Sequence, residues 1–399
     1  MIVGAGPAGS ACAMELGRAK LSVAILDKAA FPRDKTCGDA LSVDVVNQLS
    51  LLSPELASTF HDFTAKTSSY GIKIFAPDNR HIDIPFIYQG KEKCGYICPR
   101  VDFDNLLVQQ LKQFTNVKLF ENSYVQKVET LKDHIKAHTN EGIFTGRMII
   151  GADGAQSIIA KQLGAFKTER KHYSAGLRVY YEGVSSFHKD HHIELYFFRE
   201  ILPGYLWIFP LPDTRANVGI GMLSSEISKK KINLKETLQH LLLNHPGLKE
   251  RFQHAKPLET VKGFGLPLGS KKRKISGERF LLIGDAASLI DPFSGEGIGN
   301  AIRSGRVAAQ HVLKCFNKGD FSAPFNSCYD QEIYHRMWKE LRISSTLQQL
   351  CRHPWLFNFV VKKASQSKHI HQLLVEALAQ VDKKKSLVHP GFYYRLLFK

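Results

Sequence analysis

Hydrophobic positions recur along the chain with two different periods, which separate predicted helices from predicted strands. A short apolar run at residues 2–3 enters a glycine-rich turn, a helix-permissive stretch follows at residues 11–19, and a second strand is predicted at residues 23–26. Residues 100–112 show an apolar stripe with the helical period. Four further strands are predicted at residues 117–120, 125–128, 135–138 and 148–150. This order of elements predicts an α/β fold.

The middle of the chain follows a period of two instead. Residues 70–86 alternate around the turn residues 77–79, which predicts a hairpin. Antiparallel strands are predicted at residues 175–182, 193–198, 205–210 and 217–222. Tyr205, Trp207 and Phe209 share one strand face because side chains alternate. That face is either the core of a sheet or the wall of a site.

Helical periodicity returns after this sheet. Residues 234–243 predict a helix with four leucines on one face, and the chain returns to its first domain at about residue 279. Another helix is predicted to begin near Gly297, and helices are expected from residue 321 to the end. The apolar residues 355–360, followed by two lysines, fit either a membrane interface or a helix that covers the core.

The glycine-rich turn has the spacing Gly4-x-Gly6-x-x-Gly9. In a strand–turn–helix unit these glycines allow the turn, the approach of a pyrophosphate and close helix packing. The second strand ends in Asp27, where a carboxylate can hold a ribose hydroxyl. Only Met1, Ile2 and Val3 remain for the first strand, so either this strand is very short or the start is misassigned.

Two later strands each end in a carboxylate. Asp153 precedes Gly154 after the strand at residues 148–150, and Asp285 follows an apolar run at residues 281–283. The carboxyl ends of strands in open α/β sheets face the ligand crevice, so each pattern fits a ligand site as well as a surface turn. The predicted helix at Gly297 would add the positive end of its dipole.

Composition limits the class of protein. The chain carries a net charge of +17, and its hydrophobic content of 44% is that of a globular protein. Its length of 399 residues predicts about two domains. Seven cysteines without paired spacing indicate a reduced compartment, and Cys94 and Cys98 lack a second pair, so no metal site is expected.

The charge and the hydropathy also bear on location. No apolar run is long enough to span a membrane and no signal peptide precedes the nucleotide motif, which predicts a cytoplasmic protein or one on the inner membrane face. The basic runs at residues 229–231, 271–274, 362–363 and 383–385 fit solvated faces or contact with anionic lipid. No aromatic-interleaved binding motif accompanies them, so nucleic acid is not an expected partner.

Together the motifs resemble the geranylgeranyl reductase family of FAD-dependent, para-hydroxybenzoate-hydroxylase-like flavoproteins. The resemblance covers about residues 1–310. It rests on the glycine motif with Asp27, on Phe31-Pro32-Arg33-x-Lys35-x-Cys37-Gly38, on Gly151-Ala152-Asp153-Gly154, on Gly284-Asp285-Ala286-Ala287 with Asp291-Pro292, on Gly295-Glu296-Gly297-Ile298, and on residues 203–210.

The resemblance implies a Rossmann-type FAD-binding domain with an inserted antiparallel-sheet substrate domain and a C-terminal helical segment. The implied FAD-binding domain comprises residues 1–69, 96–165 and 276–315. The substrate domain comprises residues 70–95 and 166–275, and the helical region residues 316–399.

The resemblance also implies the site residues. Those expected to bind FAD are Gly4, Gly6, Ala8, Gly9, Asp27, Lys28, Arg33, Gly38, Ala40, Arg100, Val125, Asp153, Gly154, Asp285, Gly295, Gly297 and Ile298. Cys37 would lie near the flavin ring, where it either takes part in the reaction or merely packs. Tyr205 and Trp207 would line the cavity over that ring.

The implied reaction is reduction of carbon–carbon double bonds in an isoprenoid or another apolar substrate by hydride transfer from reduced flavin N5. Because no second Gly-x-Gly-x-x-Gly domain is present, the reductant is expected to be a transient NAD(P)H or a protein donor such as a ferredoxin. Three alternatives stay open: an FAD-dependent aromatic hydroxylase, a flavin halogenase and a flavin-bearing protein without turnover. For the halogenase, Tyr205 stands where that motif has a second tryptophan.

Overall fold

The computed structural model describes residues 1–88, 90–164, 166–379 and 387–389. In this part of the chain the strands are β1 (Ile2–Val3), β2 (Val23–Leu26), β3 (Ala40–Leu41), β4 (Thr67–Ser69), β5 (Gly71–Phe75), β6 (His81–Pro85), β7 (Ile87–Tyr88), β8 (Lys91–Glu92), β9 (Gly95–Ile97), β10 (Val117–Phe120), β11 (Val125–Thr130), β12 (Ile135–Thr139), β13 (Gly142–Gly146), β14 (Ile149–Gly151), β15 (Tyr173–Glu182), β16 (Ile193–Tyr196), β17 (Tyr205–Pro210), β18 (Ala216–Leu223), β19 (Lys256–Pro257), β20 (Lys262–Pro267), β21 (Ser276–Gly277) and β22 (Phe280–Leu282).

The α-helices of the described residues are α1 (Pro7–Arg18), α2 (Val43–Leu52), α3 (Pro54–Asp62), α4 (Arg100–Leu111), α5 (Ile158–Gln162), α6 (Ser224–Lys230), α7 (Leu234–Asn244), α8 (Pro246–Phe252), α9 (Ile298–Lys318), α10 (Ala323–Leu350), α11 (Pro354–Gln366) and α12 (Lys368–Ala379). Short 3₁₀ turns occupy Gly154–Gln156, Arg170–His172 and Gly284–Ala287. The predicted helices and strands up to residue 366 are therefore present, with ends shifted by a few residues.

The first sheet has six strands in the order β10-β2-β1-β14-β22-β21. Although β1 has two residues, it pairs in parallel on both sides, because Ile2 lies between Ile25 of β2 and Ile150 of β14. The very short first strand predicted from the sequence is thus a buried central strand. Helices α1 and α9 pack closely, since a Cβ at Gly305 would lie only 2.3 Å from the Ala8 carbonyl oxygen.

The second sheet has eight strands, in the order β19-β15-β18-β17-β16-β5-β6 with β20 paired to β15. The predicted strands from β15 to β18 are antiparallel, but β16 pairs in parallel with β5. The prediction of an antiparallel sheet is wrong for the pair β16 and β5. The hairpin β5–β6 comes from an earlier segment of the chain, and β5 runs beside β16 in the same direction. Smaller sheets join β11-β12-β13, β3-β9-β4 and β7-β8.

The last helices complete the core. In α10, Tyr329 is buried and its hydroxyl donates to the Leu282 carbonyl oxygen of the six-stranded sheet at 2.8 Å. Helix α11 covers the eight-stranded sheet with Val361 and Ala364, while Trp355 at its start is 69% exposed. The predicted basic run at residues 383–385 lies outside the described residues. Within the described chain, no helix is long and apolar enough to cross a membrane.

Candidate active site

The turn between β1 and α1 is built by three glycines with different tasks. Gly4 has a φ of +99°, and a Cβ there would lie 2.4 Å from the Ala152 carbonyl oxygen. A Cβ at Gly9 would lie 1.9 Å from the Gly4 carbonyl oxygen. Gly6 differs because the nearest atom to its Cβ position is the Arg33 side chain at 3.7 Å. Gly4 and Gly9 therefore allow the turn itself, and Gly6 keeps a free space beside it.

The first turn of α1 faces this free space. Gly6 is the N-cap, no side-chain hydrogen bond caps the helix, and the first turn contains no acidic residue. Pro7 has no N–H, and the buried Ala8 follows it. Uncapped backbone N–H groups at a helix N-terminus, together with the helix dipole, form a site for a phosphate group.

Asp27 connects β2 to the same turn. Its buried carboxylate accepts hydrogen bonds from the Ala5 amide at 2.7 Å and the Ala29 amide at 3.0 Å. Lys28 beside it is exposed, and Val125 is buried at the start of β11. These bonds hold the carboxylate at the carboxyl edge of β2, where the sequence predicts a ribose contact.

Two arginines lie behind the turn and share one carboxylate. Arg100 donates two hydrogen bonds to the buried Asp104, at 2.6 and 2.7 Å, and Arg33 Nη1 lies 3.0 Å from the same carboxylate. Burial favours the neutral form of Arg100, but Asp104 overrides this effect and raises the pKa of Arg100. Arg33 is held beside Gly6, where its Nη2 lies 3.7 Å from the Cβ position, while its buried Nη1 faces Asp104. Arg33 can therefore meet an anion at the turn, whereas Arg100 holds the support in place.

The two strand-end carboxylates differ. Asp153 accepts from the Ser157 hydroxyl at 2.5 Å and from the Ile158 amide at 2.7 Å, so it caps α5. Gly154 has a φ of +75° and open space at its Cβ position. In contrast, no hydrogen bond within the described residues engages the half-buried carboxylate of Asp285. Asp285 is the more available of the two for a ligand.

Asp285 lies beside the start of α9. One of its oxygens is 3.4 Å from the Cβ position of Gly297, which is the N-cap of this helix. No side chain of the described residues caps α9 and its first turn has no acidic residue. Gly295 has a φ of +72° and lies against the Tyr205 hydroxyl. A second uncapped helix N-terminus thus opens toward the eight-stranded sheet.

A cavity of about 240 Å³ lies between this helix start and β17. One edge contains Cys37, Gly38, Ala40 and the segment Gly295 to Ile298. The opposite walls are apolar and largely aromatic; they include Ile72, Phe86, Tyr96, Ile193, Leu195, Tyr205, Trp207, Phe209, Phe264, Leu266 and Phe293. The structure therefore brings Cys37, Tyr205 and Trp207 to one cavity. The Tyr205 hydroxyl donates to the Ser294 carbonyl oxygen, and burial raises its pKa.

A buried polar network behind this cavity was missed by sequence reasoning. Asp39, with a φ of +66° and no exposed surface, accepts from the Tyr180 hydroxyl at 2.5 Å and from Asn217 Nδ2 at 2.7 Å. Asn217 also donates to the Cys37 carbonyl oxygen at 2.9 Å and accepts from Trp207 Nε1 at 2.9 Å. Burial raises the pKa of Asp39 to about 6, although both hydrogen bonds oppose this shift. The network fixes the Cys37 loop against β17.

A signal for this network was present in the sequence. Asn217 is the first polar residue of a strongly apolar strand, and Asp39 directly follows Cys37-Gly38. Buried polar residues of this kind require partners. The residues of the network come from four separate segments, so no local pattern identifies them.

Comparisons with known proteins show the family of this chain. The model of the family described as "FAD binding domain" matches residues 1–342. The menaquinone reductase of Mycobacterium tuberculosis is 29% identical over 325 residues, which cover 78% of this chain and 75% of that protein. The digeranylgeranylglycerophospholipid reductase of Methanocella arvoryzae is 28% identical over 355 residues, covering 86% and 84%.

Solved structures show the same architecture. A geranylgeranyl bacteriochlorophyll reductase-like protein from Thermoplasma acidophilum superposes with a TM-score of 0.81 at 25% identity, over 97% of this chain and 98% of that one. The halogenase PltM with phloroglucinol and FAD superposes with a TM-score of 0.74 at 18% identity, over 96% and 84%. At 18% identity, the similarity to PltM shows a shared fold and nothing more.

Proposed function

We propose that this chain, which belongs to the FAD-binding domain family, is a reductase of carbon–carbon double bonds in an isoprenoid lipid. The observation that carries the proposal is the cavity, because its walls are mostly aromatic and aliphatic while one edge is formed by Cys37, Gly38 and the segment Gly295 to Ile298, two of the segments expected to contact FAD. An isoprenoid chain has no charge and almost no hydrogen-bonding groups. Such a substrate must be oriented by shape and apolar contact, which this cavity offers.

The described residues fit FAD at both ends of the cofactor. The Gly6 turn, Arg33 and Asp27 would hold the pyrophosphate and the adenosine ribose. The free carboxylate of Asp285 and the uncapped start of α9 at Gly297 would meet the ribityl chain and the polar edge of the isoalloxazine ring. Bound FAD, once reduced, would supply a hydride to one carbon of the double bond, and a proton added to the other carbon completes the reduction.

The protein's own residues would position the substrate and exclude water from the cavity. Trp207 is 5% exposed and its ring is fixed by Asn217, so it forms a rigid wall opposite the start of α9. Tyr205 is held through its hydroxyl by the Ser294 carbonyl oxygen, and its ring packs at a tilt against Phe197 and edge-on against Trp207. These contacts exclude water and limit the orientations of an apolar chain, which is what alignment of an unactivated alkene requires.

The relatives support an isoprenoid substrate. Two are named for reducing menaquinone or a digeranylgeranyl phospholipid, and both align over more than three quarters of this chain. We propose a transient NAD(P)H or a protein as the electron donor, since the sequence carries one dinucleotide motif. Hydroxylase and halogenase activities are the competing outcomes of the test below.

The test follows lipid and flavin together. The purified holoprotein is reduced anaerobically with dithionite and mixed with a geranylgeranyl lipid, a menaquinone or a phenol, and the products are analysed by mass spectrometry. We expect oxidation of the reduced flavin by a prenyl lipid, with a gain of two hydrogen atoms per bond. Oxygen-dependent hydroxylation of the phenol, or halogenation, without any hydrogenated lipid would contradict the proposal.

We also propose that the protein contacts a membrane surface to reach this substrate. Helix α11 covers a core that includes the cavity residues Tyr205, Leu195 and Phe293. Trp355 protrudes from the start of α11, and Lys362 is exposed further along it. An exposed indole beside lysines suits the interface of an anionic bilayer.

A further inference from the structure

A second cluster of polar side chains lies on the face of the eight-stranded sheet opposite the cavity. Asp83 stands in the middle of the edge strand β6, and His192 directly precedes β16. Because side chains alternate along a strand, Ile193 lines the cavity while His192 is on the other face. His188 comes from the irregular segment before β16. The cluster thus joins two segments that are about a hundred residues apart in the sequence.

Donor atoms converge in this cluster. One ring nitrogen from His188, one from His192 and one carboxylate oxygen of Asp83 all lie within 4.8 Å of one another. His192 Nδ1 and Asp83 Oδ1 are 3.6 Å apart. The two imidazole rings are stacked, with centroids 3.8 Å apart and planes inclined by 15°, so one ring must turn about its side-chain bonds before nitrogens of both face a single ion.

Two of these atoms are buried without a hydrogen-bond partner in the described chain. They are His192 Nδ1 and Asp83 Oδ1, and their separation is too long for a direct hydrogen bond. His192 is only 5% exposed. Its ring lies over Gly71, where a Cβ would come within 2.7 Å of His192 Nε2. Gly71 thus makes room for the His192 ring, whose Nδ1 faces the buried Oδ1 of Asp83, and neither of these two atoms has a hydrogen-bond partner among the described residues, although the Asp83 side chain as a whole is 42% exposed.

We propose that Asp83, His188 and His192 bind a zinc ion. Two imidazoles and one carboxylate are a donor set that Zn²⁺ prefers, with a fourth position left for water. Bonds of about 2.0–2.2 Å in a tetrahedron place ligand atoms roughly 3.4 Å apart, close to the observed separation of His192 and Asp83. Lys73 of β5 pairs with Asp83 of β6, but its ammonium group lies over the Phe75 ring.

The proposed site has a structural consequence for the cavity. It would connect the irregular segment before β16 to the edge strand β6. Ile193, which follows His192, and Ile72, which pairs with Ile193, both line the cavity. Zinc would therefore stabilise one cavity wall from behind. The cysteine spacing predicted no metal site, and no local pattern indicates this one, because Asp83 is distant in sequence from both histidines.

The test is a zinc titration of the tag-free holoprotein after dialysis against a chelator. Isothermal titration calorimetry should show one equivalent of saturable zinc binding in the wild type. Asp83→Asn and His188→Asn should each weaken this affinity by at least about tenfold, the smallest loss seen when even an outer partner of a metal ligand is changed. At the same zinc concentration, zinc should also raise the thermal midpoint of the wild type by more than that of either variant.

The matched control is His191→Asn, which removes a neighbouring histidine outside the cluster. Its φ of +47° is a conformation that asparagine tolerates. The control should retain wild-type zinc affinity, and FAD content should be equal in all four proteins. Absence of saturable zinc binding in the wild type would overturn the proposal. Equal affinities in wild type, Asp83→Asn and His188→Asn would do so as well, because the zinc would then bind elsewhere.

Discussion

Asp285 is distinguished among the carboxylates of the site by what surrounds it. Asp27 and Asp153 are engaged by backbone amides, whereas no hydrogen bond within the described residues satisfies Asp285. A carboxylate of this kind, next to the uncapped N-terminus at Gly297, is suited to a hydroxyl-rich ligand. Its loss should therefore affect the cofactor and not the fold.

We expect Asp285→Ala to lose most of its FAD while it keeps the wild-type circular dichroism spectrum. Bonds to an ionised group contribute roughly 1.5–3 kcal/mol each, so FAD affinity should fall by at least about tenfold. FAD occupancy is measured from the absorbance of the purified protein and affinity by titration of the apoprotein. Asp133→Ala, which removes an exposed carboxylate elsewhere, is the control. Full FAD affinity in Asp285→Ala would show that this residue is wrongly placed in the site.

Trp207 tests the cavity wall itself. Trp207→Ala should slow oxidation of the reduced flavin by a prenyl lipid by on the order of a hundredfold, since loss of the wall permits misalignment of about an ångström. Trp207→Phe keeps an aromatic wall but leaves the Asn217 oxygen without its donor. The rate of this variant should therefore lie between those of the wild type and Trp207→Ala. Rapid-mixing absorbance under anaerobic conditions gives the rates. If both variants bind FAD and react at the wild-type rate, β17 does not border the reacting atoms.

The raised pKa of Asp39 predicts that the stability of the protein depends on pH. Burial raises its pKa to about 6, from 3.8 when unperturbed, so the folded protein binds the proton more strongly than the unfolded chain. This favourable effect is complete below about pH 4 and is lost as the pH rises to about 6, at a cost of up to about 3 kcal/mol. Asp39→Asn keeps an acceptor oxygen and cannot ionise.

The thermal midpoint of the wild type, relative to Asp39→Asn, should therefore decrease between pH 4.5 and pH 7.5. Circular dichroism melting of both proteins in the same buffers measures this difference, and other titrating groups cancel between them. A difference that stays constant, or that increases with pH, would mean that Asp39 is ionised throughout this range.

At the scale of elements, patterns within one segment predicted the structure well. The turn between β1 and α1, the stripe of α4, the hairpin β5–β6 and the face of β17 all follow from periodicity within one segment. The same holds for α9, which begins at Ile298, next to the predicted start at Gly297. Local periodicity is sufficient where one face of an element packs against a core.

Features that depend on several segments were not predictable. The parallel pairing of β5 with β16 depends on where a distant hairpin enters the sheet. The network of Asp39, Tyr180 and Asn217 joins a loop and two strands. Likewise, the sequence shows that Asp153 follows a strand, but not that its carboxylate is used to cap α5. Tertiary partners decide these roles.

The glycine turn gives a prediction for this element. Gly6→Ala should fold, because the nearest atom to the new methyl group is 3.7 Å away, but its FAD affinity should fall since the methyl occupies the free space at the N-terminus of α1. The control is Gly247→Ala in the first turn of α8, which should bind FAD normally. Thermal melting and FAD titration of the apoproteins measure both effects. Unchanged FAD affinity in Gly6→Ala would place the phosphates elsewhere.

For the whole molecule, the net charge of +17 is distributed over several surfaces that differ in how far their charges are compensated. In the run at residues 271–274, Lys271 and Arg273 pair with Glu169. Lys230 donates to the carbonyl oxygens of Glu200 and Leu202. Some lysines and arginines of these runs make contacts within the folded protein, so the net charge alone does not identify a membrane-binding face. The exposed Trp355 on α11 does suggest one.

We therefore expect reversible binding to anionic vesicles, with Trp355 at the contact. Each lysine or arginine near the lipid surface contributes about 1 kcal/mol at moderate ionic strength, so binding should decrease as salt screens this attraction. Trp355→Ala should weaken binding roughly tenfold, because burial of a large apolar side chain contributes at least about 1.5 kcal/mol. Leu243→Ala, which removes a similarly exposed apolar side chain from α7, should have no such effect. Vesicle sedimentation with anionic and neutral lipid at low and high salt measures all three proteins. Equal binding to both lipids would contradict the electrostatic attraction, and equal losses in the two variants would exclude the start of α11 as the membrane contact.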